Sequence, residues 1–417
     1  MKKILYIVLI GFLLTGCRKD PAELNDPSHY GVVAKNAVGN FDAFWHGMNN
    51  NYAFWGVDNT DWDKVYTTYR PLFEELDKDT ASTFEEQAEK MYSYFVEMSE
   101  NLVDGHCAIL FNETFANACG ARGISPSTIR KTKEGLIPYP TLWQEKFTQM
   151  ENVWDRVLMD DEYLSVAMDY SGEELSELYI TGRIAGSQGK VIPYLFFSSF
   201  SLLQNYYQGG DYTTVLDNFF ASIMEDNVEG VIIDVRGNGG GNSADLSFLM
   251  GHFSTKDFIV VYNRSKAGEG RLDYSPWIPF RIMPMEGACK DFTVPIVVLA
   301  DVHSVSCAEI TTMAVKSLPN KNGHFIGQQT WGGHGLLTAN VEYNGGQFHT
   351  IDYSNINKVS SYIEYVYTSS VTAKTAFDGK VYEGQGLPPD QVVALDTVKL
   401  NQGEDTQLEA AIDYILR

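Results

Sequence analysis

The chain has 417 residues, with 44% hydrophobic and 20% charged residues, which is the composition of an ordinary globular protein of two or three domains. Its 31 basic and 54 acidic residues give a formal net charge of −23 at pH 7. This charge disfavours a nucleic-acid partner and electrostatic binding to an anionic membrane surface.

The first 17 residues have the form of an export signal. Lys2 and Lys3 precede an apolar stretch that is too short to span a bilayer, and Leu14-Thr15-Gly16-Cys17 follows. This ending resembles the bacterial lipobox, which implies cleavage before Cys17 and lipid attachment to it. We therefore expect a cell-envelope protein held on a bacterial membrane, the outer membrane, by lipid alone. An ordinary cleaved signal peptide is the alternative.

Residues 18–40 are polar and are predicted to be a tether. Residues 41–104 contain three short segments with apolar residues at helical spacing, such as Phe41, Phe44 and Met48 in the first. The third segment begins with Ser82-Thr83-Phe84-Glu85, which has the form of a capping box. The pattern predicts a small helical domain whose aromatic residues form its core.

The middle region, residues 105–190, is rich in turns, with one helix expected near residues 142–157. It contains no glycine-led motif typical of a PDZ peptide groove. Outside the signal, the cysteines lack the CxxC spacing of zinc or redox sites, although an exported protein could pair them as disulfides. These cysteines are Cys107, Cys119, Cys289 and Cys307.

Residues 191–417 alternate between strand and helix patterns. Strands are predicted at 191–200, 231–235, 258–261, 296–300 and 325–327, and helices at 212–226, 243–253, after residue 306, and at 405–416. Asn344-Gly345-Gly346 is typical of a hairpin turn. The alternation predicts an α/β core with a largely parallel sheet.

Ser306 lies where the strand at 296–300 gives way to a helix. A helix N-terminus offers unpaired backbone N–H groups and partial positive charge, so a serine nucleophile there could use them to stabilise an oxyanion. From this stretch alone, an N-cap is the commoner role for such a serine.

Three other stretches bear on the same chemistry. The glycine turn Gly237-Asn238-Gly239-Gly240-Gly241 exposes backbone N–H groups and lacks the GK[ST] of a phosphate-binding loop. An oxyanion hole is therefore the favoured functional interpretation of this turn, and a tight turn without a function is the alternative. His106 follows an Asp104-Gly105 turn. Glu383 lies in a loop rich in proline and glycine, where it could orient a histidine or simply be a solvated carboxylate.

Together these stretches resemble the carboxyl-terminal-processing (tail-specific) serine proteases and their tricorn-like and retinoid-binding-protein-like relatives. The motifs that carry the resemblance occur in the family's order: Leu102-x-Asp104-Gly105-His106, Asp234-x-Arg236-x-Asn238-x-Gly240, Ser304-Val305-Ser306-Cys307-Ala308-Glu309, Thr330-Trp331-Gly332-Gly333 and Glu383-x-x-Gly386-x-x-Pro389-Asp390. The resemblance covers the helical N-terminal part and residues 191–417. It implies a ClpP/crotonase-like α/β core with a mixed sheet, preceded by the small helical domain.

The resemblance also implies a serine peptidase that acts on peptides or unfolded proteins without a metal or other cofactor. By their positions in the motifs, Ser306 is the nucleophile, His106 the base and Glu383 the residue that orients the base. The implied oxyanion donors are the backbone N–H groups of Gly239 or Gly240 and of Cys307.

Two positions depart from the family's patterns. Gly333 stands where the branch with a Ser–Lys pair has its lysine, and Gly105 stands where tricorn has a serine before its histidine. These departures leave a catalytically inactive, lipid-anchored binding protein as the alternative function. Ser304 is the rival nucleophile, and the Cys307 thiol is a further one.

Overall fold

The computed structural model describes residues 33–136, 142–268, 270–337 and 360–417. Its helices are α1 (Ala37–Asn51), α2 (Trp62–Lys78), α3 (Phe84–Ser99), α4 (Glu113–Cys119), α5 (Pro126–Lys133), α6 (Leu142–Glu145), α7 (Phe147–Val157), α8 (Leu202–Gln208), α9 (Asp211–Met224), α10 (Ala244–Met250), α11 (Cys307–Lys316), α12 (Thr397–Leu400) and α13 (Thr406–Ile415). Its strands are β1 (Ala108–Phe111), β2 (Gly123–Ile124), β3 (Ser165–Ser171), β4 (Glu174–Ala185), β5 (Val191–Phe197), β6 (Val231–Asp234), β7 (Phe258–Ser265), β8 (Ile278–Ile282), β9 (Ile296–Ala300), β10 (Gly323–Gly327), β11 (Ile363–Tyr367), β12 (Val371–Thr375) and β13 (Gln391–Val392).

Helices α1 to α3 form around an aromatic core in the N-terminal part of the chain, where the helical patterns predict them. The capping box of α3 pairs Thr83 with Glu86, one residue later than the sequence motif suggests. The same core includes Ile109 of β1 and Ile363 and Val366 of β11. Strand β11, from the C-terminal part of the chain, pairs antiparallel with β1 and so ties the two parts together.

A seven-stranded mixed sheet with the order β13-β10-β9-β6-β5-β4-β3 forms the larger unit, which confirms the predicted α/β class. Strands β5, β6, β9, β10 and β13 are parallel, and β3 and β4 add an antiparallel hairpin at one edge. This hairpin lies in residues 105–190, for which the sequence predicts a turn-rich, irregular region with one helix. Most of β3 is exposed, so its apolar residues do not show the inward-facing pattern of a core strand.

Helices cover both faces of this sheet because alternate residues of its central strands point to opposite faces. Ile233 of β6 packs in the core formed with α8 to α11. Its neighbour Ile232 packs in the core formed with α6, α7, α12 and α13. The strand predicted at 258–261 instead belongs to a separate sheet, in which β7 pairs antiparallel with both β8 and β12.

Three further expectations concern membrane spans, disulfides and sites outside the described residues. Within the described ranges, no helix is long and apolar enough to cross a membrane. The four cysteines after the signal are free thiols, so none of them forms a disulfide with another. The lipidation site Cys17 and the hairpin turn at Asn344 lie outside the described residues.

Candidate active site

Ser306 occupies a sharp turn between β9 and α11. Its backbone has φ 56° and ψ −118°, a conformation that costs a non-glycine residue about 1–3 kcal/mol. The Ser306 side chain makes no capping hydrogen bond to α11, although Ser306 is the residue at the N-cap position. Its backbone N–H donates to the carbonyl oxygen of Gly333 at 2.9 Å. The Ser306 hydroxyl therefore does not cap helix α11. A strained backbone of this kind is characteristic of functional turns.

The two rival nucleophiles are held in structural roles. The Ser304 side chain is fully buried, accepts a hydrogen bond from the Asp301 N–H at 3.0 Å and donates to the Val235 carbonyl at 2.7 Å. The Cys307 thiol lies 3.3 Å from the Gly241 carbonyl oxygen and also interacts with the Ser306 side chain. Burial raises the pKa of this thiol to about 12, so it remains protonated and weakly nucleophilic near neutral pH.

The glycine turn lies directly against Ser306. Gly240 has φ +92°, and a Cβ at that position would lie 2.5 Å from Ser306 Cβ, so only glycine fits. The Gly240 N–H already donates to Asn238 Oδ1 at 2.8 Å. In the described part of the chain, the N–H groups of Gly239 and Cys307 have no acceptor. These two N–H groups, rather than that of Gly240, are the donors free to bind an oxyanion.

Glu309 fixes the loop that receives the Ser306 N–H. Its buried carboxylate accepts hydrogen bonds from Thr330 Oγ1 at 2.5 Å, from the Gly332 N–H at 2.9 Å and from the Gly333 N–H at 2.7 Å. Burial raises the pKa of Glu309, while these donors oppose the rise. Glu309, three residues after Ser306, thus holds the loop at Gly332 and Gly333 in place.

The loop that carries the histidine packs against the loop held by Glu309. A Cβ on Gly105 would lie 2.3 Å from Gly333 Cα and 2.9 Å from the Gly332 carbonyl oxygen. A Cβ on Gly333 would lie 3.2 Å from side-chain atoms of both Trp331 and Val305. The two positions that depart from the family's patterns are therefore in mutual contact, and the close approach of their backbones explains both glycines.

Glu383 joins these two loops through the backbone. One carboxylate oxygen accepts the Gly105 N–H at 2.8 Å, and the other accepts the N–H groups of His334 at 3.0 Å and Gly335 at 2.8 Å. Burial and the nearby Asp104 carboxylate raise the pKa of Glu383 well above its usual value. Glu383 thus holds the histidine-bearing segment, and it makes no hydrogen bond to the imidazole among the described contacts.

His106 lies in a group of polar side chains at this junction. One carboxylate oxygen of Asp104, one carboxylate oxygen of Glu383 and one imidazole nitrogen of His106 all lie within 4.8 Å of one another. His106 Nδ1 is 3.4 Å from Ser369 Oγ. Burial lowers the pKa of His106, with Asp104 opposing the change, so the imidazole is neutral near neutral pH. Within the described part of the chain, the Ser306 hydroxyl forms no direct hydrogen bond with the imidazole, as is common for catalytic pairs before substrate binds.

The same three side chains are the group with metal-ligand spacing in the residues that the structure describes. However, the Asp104 carboxylate already accepts the N–H groups of His106 and Ser369 and the Ser369 hydroxyl. Glu383 likewise accepts three N–H groups. Because both carboxylates are occupied by internal donors, the arrangement serves to hold loops rather than to bind a metal ion.

A cavity of about 230 Å³ opens beside His106 and Gly239. Its lining combines the imidazole, several hydroxyl groups and one aromatic ring: Gly105, His106, Ser125, Ser127, Thr128, Gly239, His303, Val305 and Trp331. Sequence reasoning did not identify the serine and threonine side chains, which begin helix α5 in the region expected to be irregular. It also missed Ser369, because no local motif marks a residue that lies 263 positions from its partner His106.

The chain matches two family profiles and several solved structures. Residues 192–393 match peptidase family S41, and residues 34–81 match the tricorn protease C1 domain. A Parabacteroides merdae protein described as a candidate peptidase is 23% identical, with a TM-score of 0.62 over 92% of this chain and 98% of that one. Mature CPAF complexed with lactacystin is 12% identical, with a TM-score of 0.56 over 91% of this chain and 97% of that one. Among curated protein sequences, no relative was found.

Proposed function

We propose that this chain, of which residues 192–393 match peptidase family S41 and residues 34–81 match the tricorn protease C1 domain, is a serine peptidase that hydrolyses peptide bonds of exported peptides or unfolded proteins through an acyl-enzyme formed on Ser306. The observation that carries this assignment is the strained Ser306 turn. This turn is flanked by two unused N–H donors and hydrogen-bonded to the loop against which the His106 segment packs.

In the proposed reaction, the Ser306 hydroxyl attacks the peptide carbonyl carbon while His106 accepts the hydroxyl proton. The carbonyl oxygen becomes an oxyanion, which the N–H groups of Gly239 and Cys307 stabilise by about 3 kcal/mol per donor. His106 then gives the proton to the leaving amine, and water, activated by the same imidazole, releases the acyl group. Glu383 positions His106 by holding the Gly105 N–H.

The cavity beside His106 supports a peptide substrate in an extended form. Its volume of about 230 Å³ matches a side chain rather than a folded element. Thr128 and Trp331 supply a hydroxyl group and one aromatic surface for the side chain next to the cleaved bond, while the Ser127 hydroxyl donates to the Gly105 carbonyl oxygen. An unstructured segment can place one side chain there and its carbonyl group at the Gly239 N–H.

Hydrolysis of an unstructured, fluorescence-quenched peptide library tests the assignment. Ser306→Ala is expected to abolish hydrolysis without changing thermal unfolding. Ser317→Ala is the matched control, because it removes a hydroxyl at the other end of α11 that has no hydrogen-bond partner among the residues the structure describes, and it should leave the rate unchanged. Wild-type rates in Ser306→Ala would overturn the assignment, and a folded wild-type protein without hydrolysis would favour a binding protein.

We also propose that the mature protein is anchored by lipid at Cys17 in the cell envelope, on the outer membrane. The basis is the charged start, the short apolar stretch and the Gly16-Cys17 junction. Metabolic labelling with a fatty-acid analogue followed by membrane fractionation provides the test. Cys17→Ser should lose the label and the membrane association, whereas Cys289→Ser should keep both; label on the Cys17→Ser variant would refute the anchor.

A further inference from the structure

The His106 imidazole contacts a hydroxyl group that the family's motifs do not mark. Ser369 precedes β12 and is fully buried, and its Oγ lies 3.4 Å from His106 Nδ1. Gly335 leaves room for this hydroxyl, since a Cβ there would lie 2.5 Å from Ser369 Oγ. The hydroxyl is therefore held in a space that the surrounding backbone leaves open.

Asp104 determines the direction of the hydrogen bonds in this group. The Ser369 hydroxyl donates to Asp104 Oδ1 at 2.7 Å, and the Ser369 N–H donates to Asp104 Oδ2 at 2.7 Å. A hydroxyl has one proton, so once it donates to the carboxylate, its oxygen can only accept from the imidazole. The proton of a neutral His106 ring must then be on Nδ1.

We propose that Ser369, held by Asp104, is the positioning residue that keeps His106 in the Nδ1–H tautomer and leaves the Nε2 lone pair for the Ser306 proton. This inference rests on the proposed function, because it assigns the orientation of the proposed base. When His106 takes up the proton, the positive ring donates Nδ1–H to the Ser369 oxygen, and the Asp104 charge stabilises it through that hydroxyl.

The geometry distinguishes this role from that of Glu383. The oxygens of Glu383 accept the backbone N–H groups of Gly105, His334 and Gly335, so this carboxylate acts on the position of the loops. Ser369 instead contacts the ring itself. Loss of Glu383 should therefore affect folding and all catalytic parameters, whereas loss of the Ser369 hydroxyl should affect chiefly the proton-transfer step.

Kinetics of Ser369→Ala provide the first test. We expect kcat to fall by about 10²- to 10⁴-fold, the range for general-base catalysis and for loss of the correct tautomer, with KM within twofold of wild type. The acidic limb of the rate profile should move to lower pH, because the cationic ring loses its link to Asp104 while the neighbouring Glu383 and His334 are unchanged.

Tyr52→Phe is the matched structural control. The Tyr52 hydroxyl accepts the Asp104 backbone N–H at 3.1 Å and donates to Asp58, whereas the hydrogen bonds to the Asp104 carboxylate come from His106 and Ser369. This variant also removes one buried hydroxyl bonded to Asp104, so it should lower thermal stability without changing the pH profile. An equal fall in kcat for Tyr52→Phe would reduce Ser369 to a structural role.

The tautomer itself can be read from the wild-type protein by ¹⁵N NMR with labelled histidine, the His106 signals being assigned by their loss in His106→Gln. A protonated Nδ1 is expected, and a protonated Nε2 in the neutral ring would overturn the proposal even if the Ser369 variant fails to fold.

Hydrolysis by Ser306→Ala would instead overturn the proposed function alone. An inactive Ser306→Ala with a fully active Ser369→Ala would overturn the positioning role alone.

Discussion

The contact between Gly105 and Gly333 allows a sharp test of how the histidine is placed. Replacing Gly105 by serine would restore the residue that tricorn has before its histidine. In this chain the new Cβ would lie 2.3 Å from Gly333 Cα, whereas ordinary contacts begin at 3.4 Å, so the loops must separate by about 1.1 Å. A misplacement of this size costs about 10²-fold in rate, and overpacking costs about 1–3 kcal/mol of stability.

The assay measures kcat/KM on an unstructured peptide and the free energy of unfolding for Gly105→Ser, Gly105→Ala and Gly333→Ala. Both Gly105 variants should lose activity about equally, because the Cβ rather than the hydroxyl causes the clash. Gly333→Ala should be milder, since its Cβ would make contacts of 3.2 Å with side chains that can move. A Gly105→Ser variant with wild-type activity and stability would refute this account of the junction.

Three further predictions concern buried groups near the site. Glu309→Gln should lower stability by about 1–3 kcal/mol and reduce kcat, because its amide NH₂ must face N–H donors of the loop that binds Ser306; circular dichroism melts and steady-state rates check this. Burial lowers the pKa of His334 to about 4, so the unfolded chain, with a histidine pKa of about 6.5, binds a proton that the folded chain does not. Stability should therefore fall by about 3 kcal/mol as pH drops from 6.5 to 4, and His334→Gln should lack this part of the loss in urea titrations at each pH. Burial raises the pKa of the Cys307 thiol to about 12, so this thiol stays protonated and reacts slowly with iodoacetamide. Iodoacetamide should therefore leave peptide hydrolysis by the native protein intact, and complete loss of hydrolysis would contradict the structural role of Cys307.

Features with a local physical cause were predicted well from the sequence. Helical spacing located α1 to α3, and the buried apolar runs located β6 and β9. The strand-to-helix turn at Ser306 was evident because a five-residue apolar strand is followed by apolar residues at helical spacing, although the structure buries this helix from Cys307 to Val315. Each of these patterns depends on residues close together in the chain, so periodicity alone reveals them.

Contacts between distant parts of the chain could not be predicted in this way. Strand β11 completes the N-terminal unit by pairing with β1, and the intervening residues carry no signal of that pairing. The mutual packing of Gly105 and Gly333 becomes visible only when two loops meet. Ser369 likewise joins Asp104 and His106 through the tertiary fold, so the group that contacts the imidazole differs from Glu383, the residue that family motifs indicate.

Locating the residue that a serine-reactive inhibitor modifies shows whether Ser306 is the nucleophile. The protein is inactivated with a fluorophosphonate that also abolishes peptide hydrolysis, and the modified residue is located by peptide mapping with mass spectrometry. We expect one phosphonyl group on Ser306 and much slower modification in His106→Ala. Complete inactivation with Ser306 unmodified and the group on another residue would contradict it.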